Sequence, residues 1–284
     1  MNKQNLAVTA FILSVFLFCG CGGEKGQSLF SNARKVTSQE FRELLQSKNP
    51  GYTGKGRLLL DDKGFVAAVE LRDSGITDLS FLKGIKFDAL DLRGLPISDI
   101  SDLAGLPISR LFLEDTNVFD ISVLRGMPLK ALYLSNTKVS DIGPLAGAPL
   151  AELNLFGCPV SDISALSNMP LKKLWLNATK VTDISPLANS SLISLTLHNT
   201  DISDLTPLTG SKIERLHIGE TKVTDLTPLR GLRLTRLVFS PIKVKKGLEY
   251  IRAMPSIKEI GSSYETIMPP EDFWAVYDEV RRQQ

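Results

Sequence analysis

From Val66 onward the chain repeats itself at a fixed interval. Segments starting at Val66, Phe87, Ile108, Leu129, Leu150, Leu171, Leu192 and Ile213 are each 21 residues long, follow one another without insertion, and lead into a degraded ninth at Leu234. Their shared pattern is LxxLxLxxTxVxDIxPLxxLP, of which LKALYLSNTKVSDIGPLAGAP, starting at Leu129, is a typical copy. One such copy is too small to offset its own conformational entropy by burying its few apolar groups. The copies must therefore stack, and the two ends of the stack must be closed.

A short fixed period with apolar residues at set offsets is the signature of a leucine-rich-repeat solenoid. The predicted fold is α/β: a horseshoe with a parallel concave sheet, short 3₁₀ segments on the convex side and helical caps at both ends. Repeat positions 4 and 6 alternate with positions 3, 5 and 7, the period of a strand. Leu132 and Leu134 should point inward, and Ala131, Tyr133 and Ser135 to the open face. Position 9, where Thr116, Thr137, Thr179, Thr200 and Thr221 stand, turns the chain, its hydroxyl serving the turn backbone. Leu95 and Cys158 depart from that rule. Position 13 is Asp in all eight copies, from Asp78 to Asp225. Such a row invites a calcium reading, but calcium needs several oxygens converging on one ion. An aspartate ahead of a short apolar turn reads better as a cap for orphan backbone N–H groups, with Pro at position 16 fitting the first turn.

The predicted layout is a signal peptide over 1–20, a flexible tether over 21–35, an N-terminal helix–hairpin cap over 36–65, repeats over 66–256 and a C-terminal strand–helix cap over 257–284. Thr37 with Glu40 forms a capping box ahead of a helix from about Ser38 to Ser47, which Asn49-Pro-Gly ends. Arg57 to Leu60 and Phe65 to Leu71 read as a hairpin around Asp61-Asp-Lys-Gly64. In the ninth repeat Lys246 replaces the Asp and Gly247 to Ala253 turns helical; Ile257 to Ile260 is a last strand. A final helix opens at Pro269-Pro-Glu-Asp, with Phe273, Trp274, Tyr277 and Val280 available to pack.

At the start, Lys3, an apolar run from Leu6 to Phe18 and then Cys19-Gly-Cys21 read as a signal peptide, the run being too short to span a membrane. Gly20-Cys21 resembles the bacterial lipoprotein cleavage box, which implies lipidation of Cys21 and a place in the cell envelope, at the outer membrane or cell surface. Several acyl chains would anchor the protein stably. Cys158 is then the one cysteine left in the folded part, so no internal disulfide holds it.

Little in the chain supports catalysis. The two histidines, His198 and His217, fall on adjacent strands of the open face, diagonally placed, with Asp201 and Glu220 near in register. A metal site needs closer convergence and a third ligand, so solvated or partner-contacting histidines are the expectation, with no metal and no cofactor. Nucleic acid is disfavoured by a net charge of +2 and a mixed-sign face. The informative surface is position 5 with its neighbour 7, which hold Phe112, Tyr133, Phe156, Trp175, His198 and His217. Aromatic groups on an open sheet face mark a binding surface, against the alternative of simple packing between strands. Arg110, Lys173 and Arg215 at position 3 flank it and would orient an acidic or polar partner.

The xDIxPL half-repeat resembles that of internalin-type bacterial leucine-rich proteins. Asn49-Pro-Gly-Tyr-Thr-Gly-Lys55, the SDIxPLxG repeats and Pro-Glu-Asp-Phe-Trp-Ala-Val-Tyr near the end resemble the leucine-rich ectodomains of bacterial receptor-like Ser/Thr kinases and related surface lipoproteins. The resemblance implies an envelope sensing or binding module. It does not extend to a kinase: the chain has no Gly-rich phosphate loop, H-R-D or D-F-G. The sequence thus predicts a non-enzymatic module that binds a protein across repeats three to eight. A glycan is the second choice of ligand, and a structural spacer without a ligand the third possibility.

Overall fold

The computed structural model describes residues 33–283. The signal peptide, the lipidation of Cys21 and most of the tether concern residues outside this range. No described helix is long and apolar enough to cross a membrane.

The described residues form an eleven-stranded sheet whose strands lie in chain order. These are β1 (Arg57–Leu60), β2 (Val66–Glu70), β3 (Ala89–Asp91), β4 (Arg110–Phe112), β5 (Ala131–Tyr133), β6 (Glu152–Asn154), β7 (Lys173–Trp175), β8 (Ser194–Thr196), β9 (Arg215–Ile218), β10 (Arg236–Phe239) and β11 (Glu259–Gly261). β1 runs antiparallel to β2 as the predicted hairpin, and the other pairs are parallel. The register follows the repeat: Leu111, Leu132, Leu153, Leu174, Leu195, Leu216 and Leu237 lie side by side. All seven are buried in one core that runs from Val36 to Trp274. Each contributes on the order of 2 kcal/mol, and its neighbours are the equivalent residues one turn before and one turn after, with Ile260 following Leu237.

Two left-handed residues per repeat, three in the first, bend the chain out of and back into the sheet. Position 8 has positive φ in all eight copies: Asp73, Gly94, Asp115, Asn136, Gly157, Ala178, Asn199 and Glu220. Asp, Asn and Gly tolerate that conformation; Ala178 and Glu220 adopt it against their preference. The next residue closes the turn, as Thr137 Oγ1 donates to the Leu134 carbonyl at 2.8 Å, and Thr116, Thr179, Thr200 and Thr221 do likewise. Where Cys158 replaces Thr, its thiol donates to the Leu134 carbonyl of the preceding repeat at 3.0 Å. Leu95 is simply buried.

On the convex side each repeat makes a three-residue 3₁₀ segment, from Ser80–Leu82 to Thr227–Leu229. All eight position-13 aspartates accept the backbone N–H two residues on, at 2.7–2.8 Å. The carboxylate sits one place earlier than an ordinary helix cap and serves the first N–H of the 3₁₀ segment, an Asx turn. These hydrogen bonds hold seven of the carboxyls (Asp78, Asp99, Asp120, Asp162, Asp183, Asp204 and Asp225) below the usual carboxylate range. The backbone N–H has the largest effect at Asp99, Asp120, Asp162 and Asp183, and the Ser or Thr hydroxyl at the other three.

The N-terminal helix, Ser38–Lys48, is capped by Thr37, whose Oγ1 accepts the Glu40 N–H. It buries Phe41 and Leu45, and Phe41 meets Phe81 of the first 3₁₀ segment edge-on. The folded part extends further toward the N-terminus than the predicted start at Val36, because Arg34 bridges to Ile85 beyond the first repeat. Arg34 is therefore paired backbone of the folded part, beside Gly84 and Lys86. At the other end the helix Leu248–Arg252 follows Gly247, and the helix Pro270–Arg282 buries Phe273 and Trp274. Trp274 lies edge-on to Phe273 and Tyr277 under the Arg252 guanidinium, a capping contact. Val280 was expected to pack but is exposed, as is Val276.

Candidate functional site

The open face is built from positions 3, 5 and 7 of successive strands, so its layout follows from the register. Phe112 and Tyr133 are partners on β4 and β5, and their rings stack at 5.0 Å with 19° between planes. Asn154 separates Tyr133 from Trp175 in register, yet the larger indole spans the gap, with centroids 6.1 Å apart. Phe112, Tyr133 and Trp175 are each partly exposed and form one continuous aromatic run. The Arg93 guanidinium, doubly hydrogen-bonded to Asp91, lies over the Phe112 ring at the N-terminal end of this run. Phe156, which the sequence groups with these rings, is 40% exposed at position 7 and makes no ring contact among the described residues.

The polar groups beside the run are more committed than the sequence implied. Tyr133 Oη donates to Glu152 Oε2, and Lys173 Nζ donates to Glu152 Oε1 at 2.8 Å. Lys173 is therefore engaged within the sheet and does not stand ready for a partner. Burial, with the Glu152 hydrogen bond second, raises the Tyr133 phenol far above its usual range, so it remains a donor. Glu114, at position 7 of repeat three, is mostly buried with Oε2 unpartnered, and that burial pushes its carboxyl up to about 7. Arg110 is partly exposed and makes no ion pair among the described residues.

The histidines differ most from expectation. His217 was expected to be solvated or to touch a partner, but only 4% of it is exposed. The diagonal placement is real, but the side chains converge: the His198 and His217 rings stack at 4.8 Å. The other face of His217 is covered by Tyr264, edge-on at 4.5 Å. Tyr264 belongs to a return loop after β11, tied down where Ile260 and Met268 exchange backbone hydrogen bonds. This loop lays Tyr264 over His217 and so covers that part of the concave face. Both His217 ring nitrogens are buried without a partner. Burial first, then His198, push its pKa down to about 4. The expected neighbours turn elsewhere, Asp201 to Lys222 and Glu220 to Lys243. No group of three His, Cys, Asp or Glu able to hold a metal is present among the described residues.

Between the aromatic run and the return loop lies a hollow of about 160 Å³, bordered by Trp175, Ser194, Arg215, His217, Arg236 and Tyr264. Sequence reasoning missed Tyr264 and Arg236. Arg236 was legible in principle, since it stands 21 residues after Arg215 at the same repeat position.

No protein-family model and no curated protein matches the chain. Solved structures do. An internalin C2 of Listeria monocytogenes is 24% identical, over 76% of this chain and 100% of that one, with a TM-score of 0.60. The leucine-rich-repeat ectodomain of the Arabidopsis thaliana receptor kinase GASSHO1/SCHENGEN3, solved in complex with CASPARIAN STRIP INTEGRITY FACTOR 2, is 16% identical, over 69% of this chain and 30% of that one, with a TM-score of 0.51. At such identities the likeness speaks to architecture, and with the strand order and the 3₁₀ segments it identifies the fold as a leucine-rich-repeat solenoid.

Proposed function

We propose that this protein is a non-enzymatic binding module of the bacterial cell envelope, carried on a lipid at Cys21, that docks a protein partner across strands β4 to β9. The observation that carries the reading is the partly exposed run Phe112–Tyr133–Trp175 across the middle of the concave face. Large rigid rings that leave area open to solvent lose little entropy on binding and supply anchors. Strand packing alone would account for the Phe112–Tyr133 stack, but it would not require Trp175 to span a polar Asn154 while part of its surface stays open. Arg110 at the flank adds a cation toward an acidic or polar partner. The plant ectodomain similar to this chain was itself solved with a partner bound, which supports a protein ligand over a glycan.

The test passes envelope extract of the producing cell over the immobilised full chain. A Phe112→Ala/Tyr133→Ala variant of matched melting temperature runs beside it, with Tyr133→Phe as a ring-preserving control. One or two stoichiometric proteins retained by the wild type and Tyr133→Phe, and absent from the double variant, are the expected result. Retention of polysaccharide instead would turn the reading to a glycan ligand. Retention of nothing would favour a spacer, and equal retention by all three would place the site on another face.

A further inference from the structure

The position-3 row of the concave face runs Glu152, Lys173, Ser194, Arg215, Arg236, Glu259, each in register with the next. Its two ends are electrically closed: Lys173 pairs with Glu152, and Arg236 Nε with Glu259 Oε2 at 2.5 Å. Arg215 in the middle has no ion pair or side-chain hydrogen bond among the described residues, and its neighbours are a serine and a second arginine. Like charges side by side on adjacent strands repel unless an anion lies between them. Glu259 is near enough to feel Arg215, but its contact goes to Arg236. The row holds one cation more than its anions can meet.

That extra cation borders the hollow together with the Trp175 indole, the Tyr264 ring and the buried His217. A hollow of about 160 Å³, open to solvent, is large enough to receive a side chain. Aromatic walls suit a short methylene stem, and a guanidinium at the rim suits the two oxygens of a carboxylate. Resting on the binding function proposed above, we propose that this hollow is a specificity pocket that takes a single carboxylate of the partner protein, an Asp or Glu side chain or a free C-terminus, through Arg215. The occupant would supply the missing anion in the row, while the aromatic run would carry the neutral remainder of the contact.

The probes are N-acetyl-glutamate N-methylamide, its glutamine counterpart, a short acetylated peptide with a free C-terminal carboxylate, and glucuronate. Each is titrated into the full chain while the indole N–H signals of its two tryptophans are followed. Trp274, buried in the C-terminal cap, is the internal reference. The expected result is saturable, salt-sensitive movement of the Trp175 signal with the glutamate or C-terminal probe and none with glutamine, the stronger of the two identifying the source. Arg215→Gln removes a side chain with no ion pair or side-chain hydrogen bond among the described residues and should weaken binding by about tenfold or more, and Lys138→Gln, at an exposed position off the concave face, should leave it unchanged. Movement with glucuronate alone overturns the assignment to a protein. No movement with any probe, or equal movement in Arg215→Gln, overturns the pocket. In the extract experiment, a partner lost by Phe112→Ala/Tyr133→Ala but kept by Arg215→Gln sinks the pocket and leaves the aromatic binding face standing.

Discussion

Asn49 and Asp78 exchange hydrogen bonds across the first joint of the solenoid. Asn49 Nδ2 donates to the Asp78 carbonyl at 2.9 Å, and Asn49 Oδ1 accepts the Asp78 N–H at 3.2 Å while also accepting that of Thr77. The residue that ends the capping helix thus satisfies the backbone of the first repeat from a buried position. Asn49→Ala should lower stability by about 2–3 kcal/mol, because it strands buried backbone groups as well as removing bonds. Urea unfolding followed by circular dichroism checks the size. Amide exchange should place the weakening in residues 38–80, and a uniform loss along the chain would show that the joint is not local.

The aspartate row acts through acid as well as through mutation. Hydrogen bonds lower the folded-state pKa of seven of its members, so the stability they add is present above the ordinary carboxylate pKa and is lost as pH falls through their folded values. Melting temperature should therefore drop steeply in strong acid. Asp162→Ala should lower it by about 2–4 °C near neutral pH and flatten the acid limb slightly. Partner retention should be unaffected. A wild-type melting temperature that rises with added calcium would show that the row binds metal, contrary to the cap.

Ala178 carries φ of 54° where most sister repeats have Asp, Asn or Gly. Relief of that strain by Ala178→Gly should raise stability by about 1 kcal/mol, net of the entropy glycine adds to the unfolded chain. Thermal melts of the two proteins decide it. An unchanged or lower melting temperature would mean that the β-carbon makes up for the conformation through packing.

Glu114 titrates in the physiological range. Its folded pKa is raised from 4.5 to about 7, so the stability associated with its neutral form is complete below pH 4.5 and is lost as pH rises through 7. Glu114→Gln keeps the shape and removes the titration. The variant should therefore gain on the wild type as pH rises from 5 to 8, by up to about 3 kcal/mol. Parallel denaturation curves at the two pH values measure the difference, and an equal gap at both would show that Glu114 is solvated.

The parts of this molecule that repeat were readable in advance, since one physical solution is used eight times. Strand register, the inward leucines, the Thr137-type turn and the Asp162-type cap each follow from a residue's offset within the period. What escaped the period escaped the reading. Tyr264 reaches His217 through a loop with no repeat pattern, positioned by the pairing of Ile260 with Met268, so the burial of His217 had no local signal. Asn49 looked like a simple helix stop because its partner lies 29 residues ahead. The engagement of Lys173 by Glu152 was legible, as both stand at position 3 one period apart. Reading the rows across repeats, and not only the offsets within them, would have separated the committed Lys173 from the uncommitted Arg215.

The uninterrupted 21-residue spacing also shapes how the chain reaches this structure. Although the sheet has eleven strands, each parallel pair among the repeats joins residues one period apart, so the loop closed at every step is short and of constant length. A chain emerging from the ribosome has only to wait for one more turn before the previous one is covered. Assembly can then proceed like a zipper from the capped N-terminal end, with little apolar edge left open to other chains.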